Sequence, residues 1–173
     1  MKDLENESLD NKYLEKNEIA EFLNVVKLFG RFNDLEMFYL FIFSGMRSGE
    51  LCALQWNDIN FETNDIRINK TLYTPRGNMR EYKLTPSKTK GSTRTFDIDG
   101  SVIALIKAHK LKQIEAKNSA ISQGIKCVDS NFVISRINGH PYTQRMIYIR
   151  MQRIIRRTSI KKNATPHIFR HTH

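Results

Sequence analysis

Two short stretches hold residues whose types and spacing suit work on an anion. In the first, Ser44-Gly45 ends the apolar run Met37–Phe43, and a guanidinium, Arg47, follows at once with Ser48 and Glu50 behind it. Glycine lets the backbone turn sharply and approach a ligand closely. A cation presented on such a turn, with apolar walls on both sides, suits phosphate; the plainer alternative is a surface residue on a helix connection. The second stretch, Thr165-Pro166-His167-Ile168-Phe169-Arg170-His171, reads as the start of a helix. Thr165 suits the N-cap and Pro166 the first helical position. His167 and Arg170 then share one face of the first turn. Free N–H groups and the positive end of the helix dipole point the same way. A third basic stretch, Ser87-Lys88-Thr89-Lys90-Gly91-Ser92, is a turn that serves equally well as a solvated hairpin tip.

Three chemistries fit these residues. His167 and His171, four apart on a helix with His173 nearby, could grip a transition metal. No acidic third ligand lies close in sequence, however, and Arg170 between them would repel a cation. A plain DNA-binding module, transcription-factor-like, would account for basic helices and a helix-turn-helix-like spacing around Gly45. It leaves the His167/Arg170 pair and the Lys88 turn as coincidences. The third reading joins Arg47, Lys88, His167 and Arg170 in one site. Two arginines hold the non-bridging oxygens of a phosphodiester and stabilise the charge of the transition state. A neutral histidine assists deprotonation of a nucleophile, and a lysine protonates the leaving oxygen. That is phosphoryl transfer with no metal and no cofactor, and its nucleophile must come from elsewhere.

The elements that would position these residues follow from hydrophobic periodicity. A helix is expected over 17–29, with Ile19, Phe22, Leu23, Val26 and Phe29 on one stripe and Gly30 ending it. Asn33-Asp34 opens a second, Leu35–Phe43, apolar nearly all round and therefore central to the core. A short helix with Leu51, Leu54 and Trp56 follows the Arg47 turn. Ile66, Ile68 and Leu72 then alternate with polar residues as a strand. Thr74–Asn78 is a turn cluster, Met79–Leu84 a second strand and Arg94–Ile98 a third, closing a small antiparallel sheet. A long helix is expected from Gly100 to Ser122, with Val102, Leu105, Ile106 and a half-buried His109 on one side. Asn131–Ile134 reads as a short strand and Asn138-Gly139 as a turn. Thr143 should cap a helix burying Met146, Ile147, Met151, Ile154 and Ile155. Its other face, Arg145, Arg150, Arg153, Arg156 and Arg157, is either a stripe that follows a phosphate backbone or a solvated surface. The fold class is α+β, a mainly helical domain with a small three-stranded antiparallel sheet.

Charge narrows the partners. The 173 residues carry 28 Lys and Arg against 18 Asp and Glu, a net charge of +10, with six of the acids before residue 20. Such a field favours polyanions, nucleic acid foremost. No apolar run is long enough for a membrane span. The polar, acidic start MKDLENESLDNK is no signal peptide, and Cys52 and Cys127 lack metal-ligand spacing. A reducing, cytoplasmic setting with no membrane partner is expected.

Taken together, SGMRSGELCALQWNDINF, the sheet with SKTKGSTR at its second turn, and TPHIFRHTH resemble the catalytic domain of the tyrosine recombinases of the phage integrase family. YLEKNEIAEFL resembles that domain's opening helix. The resemblance implies a partial catalytic domain over 13–173, with residues 1–12 the tail of a linker from a DNA-binding arm. It implies Arg47 as the first catalytic arginine, Glu50 as its structural acidic neighbour, and Lys88 as the general acid, with Lys90 the alternative. His167 and Arg170 match the His-x-x-Arg pair, and His171 belongs to the same signature as packing or a phosphate contact. The partner implied is double-stranded DNA at a recombination site, bound by a self-associating protein, a tetramer when full length. Family members attack the phosphate with a tyrosine beyond this signature. Here Tyr13, Tyr39, Tyr73, Tyr82, Tyr142 and Tyr148 all precede His167. The stretch is therefore expected to bind DNA without completing a 3′-phosphotyrosine reaction by itself.

Overall fold

Apolar spacing decides where the helices begin and which sides they bury. In the computed structural model, which describes residues 13–75, 78, 80–86, 93–162 and 164–171, helix α1 spans Lys16–Phe29, α2 Asp34–Ser44 and α3 Ser48–Ala53. The side chains of residues 170 and 171 lie outside this description, as do Lys88 and Lys90. A 3-10 turn, Trp56–Asp58, leads into strands β1 (Ile59–Asn60), β2 (Asp65–Ile68), β3 (Lys70–Tyr73), β4 (Lys83–Pro86) and β5 (Arg94–Asp97). Helices α4 (Gly100–Ser122) and α5 (Gln144–Ile155) and a 3-10 turn, Pro166–His171, complete the order. The fold is α+β, mainly helical with small antiparallel sheets.

The chain divides into two compact units, one taking residues up to Ser48 with those from Arg145 onward, the other Gly49–Gln144. In the first, α1 and α2 bury Phe22, Leu23, Val26, Met37, Phe38, Leu40, Phe41 and Ile42. Asn33 caps α2 in the left-handed region (φ 74°), which asparagine tolerates. Its side chain makes no capping bond; Asp34 accepts from the Arg31 N–H at 2.8 Å instead. Phe29, expected in the buried stripe, is 52% exposed as the last residue of α1, with the Arg157 guanidinium covering part of its ring at 5.7 Å. Helix α5 buries Ile147, Met151, Ile154 and Ile155, while Met146 is half-buried.

In the second unit, the expected strand through Ile66 and Leu72 is divided at Asn69. Its first half joins a three-stranded antiparallel sheet of order β1-β2-β5, and its second half pairs with β4 alone. Apolar alternation lapses only at Lys70, which stands between Ile68 and Leu72, so a single residue was the sequence signal for the change of partner. Residues 131–134 form no regular strand. Isolated bridges join Gln55 to Phe132 and Ser135 to Pro141, with Val133 N–H donating to Leu54 C=O at 2.9 Å. Helix α4 has the expected bounds and is capped by the Asp99 carboxylate, which accepts from the Ser101 N–H at 2.8 Å. His109 is fully buried, not half-buried, with Nε2 3.1 Å from the Val133 carbonyl. Among the described residues no helix is long and apolar enough to cross a membrane.

Candidate active site

Helix α2 is the scaffold of the first unit. It ends at Ser44, and Gly45 adopts the left-handed conformation (φ 59°) that glycine reaches without Cβ strain. The Ser44 hydroxyl donates back to the Leu40 carbonyl and accepts from the Met46 N–H at 3.3 Å. Met46 is buried, and Arg47 next to it is exposed. An inward anchor thus fixes the backbone from which the guanidinium leaves.

His167 is built the same way. Its exposed side chain sits on the turn Pro166–His171, whose next two residues, Ile168 and Phe169, are buried. The Phe169 ring lies 5.2 Å from that of Phe22, 6.2 Å from Phe38 and 5.7 Å from Phe41, pinning the turn to α1 and α2. The Arg47 turn and the His167 turn therefore share one support, α2. The turn is a 3-10 helix of six residues, not the expected start of an α-helix. That removes the dipole argument for an anion there, since so short a turn sums few peptide dipoles. In a 3-10 helix positions three apart eclipse, so 167 and 170 still fall on one edge. Upstream, Lys162 pairs with Glu18 at 2.7 Å and Glu21 accepts from the Ser159 N–H and hydroxyl at 2.6 and 2.7 Å. These bonds hold the Glu21 carboxyl below the usual range, the backbone donor first.

The arginines of α5 are not one surface. Arg150 and Arg153 both reach the fully buried Asp34 carboxylate, each at 2.6 Å, and also bond the carbonyls of Phe32 and Phe29. Arg157 donates to the Arg153 carbonyl at 3.2 Å. Arg145, Arg156 and Arg157 are exposed, the first two in line with the exposed Tyr148 and Ile149. The expected basic stripe is thus partly an internal clamp, which no local sequence signal links to a residue over a hundred positions earlier.

In the second unit Glu50 is buried and takes a two-pronged ion pair from Arg94, Oε1–Nη1 3.1 Å and Oε2–Nη2 2.8 Å. Arg94 did not stand out from the sequence, where it is one basic residue after a basic turn. Among the described residues no group of three His, Cys, Asp or Glu side chains gathers as metal ligands.

Two turns on one support, α2, in the first unit, and small antiparallel sheets following a buried Glu50 in the second, define a mainly helical α+β domain. The family profile described as "Phage integrase family" matches residues 12–173, and the chain belongs to that family. It is 31% identical over 144 residues to a "Tyrosine recombinase XerC-like" protein of Caldanaerobacter subterraneus subsp. tengcongensis, covering 79% of this chain and 36% of that protein. It is 32% identical over 131 residues to an integrase of Staphylococcus phage L54a, covering 75% of this chain and 36% of that protein. Among solved structures, the Tn1549 transposon integrase in complex with transposon right end DNA has a TM-score of 0.70 at 20% identity over 92% of this chain and 51% of that one. The XerA recombinase has a TM-score of 0.64 at 15% identity, over 92% and 47%. These structures share the fold. The chain spans about a third of the length of the curated relatives it matches.

Proposed function

We propose that residues 13–173 are part of the catalytic domain of a tyrosine-type site-specific DNA recombinase, an integrase, and that residues 1–12 belong to a linker. Arg47 and Arg170 bind the non-bridging oxygens of the scissile phosphate and stabilise the charge that develops there. His167 assists proton transfer, and Lys88 (alternatively Lys90) protonates the 5′ oxygen as its bond to phosphorus breaks. A tyrosine oxygen forms the new bond to phosphorus, leaving a 3′-phosphotyrosine and a free 5′-hydroxyl. The observation that carries this reading is the shared construction of the two turns: Met46 and Phe169 are buried beside an outward Arg47 and an outward His167, both supported by α2.

Double-stranded DNA is the partner, the role in which Tn1549 integrase and a λ integrase dimer were solved, and self-association to a tetramer on DNA fits the same reading. The exposed Arg145 and Arg156 supply contacts to the DNA backbone. The setting is cytoplasmic. The test is a nicked suicide duplex with the full-length protein: a covalent protein–DNA adduct is expected, lost in Arg47→Ala and unaffected by chelator. DNA binding without any adduct would favour a non-catalytic, transcription-factor-like module. Single Lys88→Ala and Lys90→Ala substitutions identify the proton donor by the larger loss of cleavage.

A further inference from the structure

Helix α3 starts one residue after Arg47, and its first turn touches β3 and β5. On one side Gly49 lies against β3: a Cβ there would meet Thr71 Oγ1 at 2.4 Å and Gln144 Nε2 at 2.7 Å. β3 pairs through Leu72↔Leu84 with β4, which ends at Pro86, just before Ser87-Lys88. On the other side Glu50 holds the Arg94 guanidinium in a planar fork, and Arg94 is the first residue of β5, just after that segment. The two strands lie in different sheets, so strand pairing alone does not set their spacing. The Glu50–Arg94 pair ties β5 directly to the short helix, whereas Gly49's close approach reaches β4 only through β3. A two-pronged arginine–carboxylate contact fixes angle as well as distance, which a lysine on a flexible stem does not.

We infer that Arg94 is a positioning residue for the reaction, locking strand β5 to helix α3 through Glu50 so that the lysine segment departs from a fixed base and its ammonium meets the leaving 5′ oxygen. This rests on the general-acid reading of Lys88 or Lys90. The test compares two suicide duplexes with the full-length protein. One has the natural bridging 5′ oxygen; the other has sulfur there, so that the P–S bond breaks and the thiolate departs without needing a proton. Arg94→Lys should slow cleavage of the oxygen duplex by about 10- to 100-fold, the scale of a misplaced catalytic group. On the sulfur duplex it should cleave at close to the parent rate. Glu50→Gln, which keeps the side chain's shape, should do the same and covers the case in which Arg94→Lys folds poorly. Equal slowing on both duplexes would overturn the inference and leave the pair with a purely structural part. Lysine→Ala variants at 88 and 90 run beside them. If neither is rescued by sulfur, the general-acid reading has failed, and the inference with it. If one is rescued while Arg94→Lys is not, only the inference has failed.

Discussion

Replacing Asp34 by alanine removes one carboxylate from three donors at once: the Arg31 N–H at 2.8 Å and the Arg150 and Arg153 guanidinium groups at 2.6 Å each. The Asp34 side chain is 0% exposed and the two arginines about a fifth exposed, at 20% and 22%. Removing one partner of a buried ion pair costs about 3–5 kcal/mol, because the other charge is left desolvated and unpaired. Here each guanidinium keeps some water and a carbonyl acceptor, so the loss belongs at the low end, about 3 kcal/mol. For a chain of this length that lowers the melting temperature by roughly 6–12 °C. Circular-dichroism melts of Asp34→Ala, Arg150→Ala and Arg153→Ala measure it, and DNA binding against salt is measured in parallel. The clamp reading expects all three to lose stability. It expects Arg145→Ala and Arg156→Ala to melt like the parent and each to reduce the salt slope of DNA binding by about one. An Arg150→Ala protein with an unchanged melting point and a reduced salt slope would refute the assignment.

Phe169→Ala should cost about 3–5 kcal/mol, because it empties the site among Phe22, Phe38 and Phe41. His167→Ala, at an exposed position, should shift stability by under about 1 kcal/mol while abolishing cleavage by the full-length protein, so denaturation and adduct assays separate anchor from chemistry. Asp65 and Asp97 face each other across β2 and β5, and the hydrogen bond and charge of Asp65 push the Asp97 carboxyl up. A raised acid contributes stability while protonated and loses it as pH rises through its folded-state value. Asp97→Asn should therefore raise the melting temperature at neutral pH and not below the ordinary carboxylate range; an equal shift at both would refute this. Glu21 is held down by its Ser159 bonds and contributes the opposite way, its stabilisation present above the ordinary glutamate range and lost as pH falls through the lowered value. Glu21→Gln should accordingly cost stability at neutral pH and little in acid.

Legibility in the sequence followed the range of the interaction. Helix α4 came out with its true bounds because its apolar period and its Gly100-Ser101 start lie within one window. The Arg47 turn was visible because a glycine after an apolar run marks a helix end, left-handed at Gly45 though extended at Gly30. The sheet was legible as strands and not as pairings: the partner changes at Asn69, where the alternating pattern lapses for one residue at Lys70 and resumes at Leu72, and residues 131–134 looked like a strand but make only isolated bridges. Roles that depend on a distant partner were invisible. Arg150 and Arg153 read like their neighbours Arg145 and Arg156, and only the folded chain shows that Asp34 claims them.

That division also explains how a basic protein of this size keeps ordered cations inside it. Asp34, Glu50, Asp58 and Glu18 are spent on Arg150 and Arg153, Arg94, Lys70 and Lys162, pairs in which each side chain is a third exposed or less. Such pairs cancel internally and add little field at a distance. With four carboxylates against five cations in these pairs, all but one of the chain's net +10 falls on its other residues, where a polyanion would meet it. Paired and outward cations should respond differently to salt. The internal pairs, partly desolvated, are weakly screened and should leave the melting point nearly constant as salt rises, whereas attraction of DNA to the outward charges falls steeply. A melting point that fell in step with DNA affinity would mean that the Asp34 and Glu50 pairs are as wet as the surface, and the distinction between clamp and contact would fail.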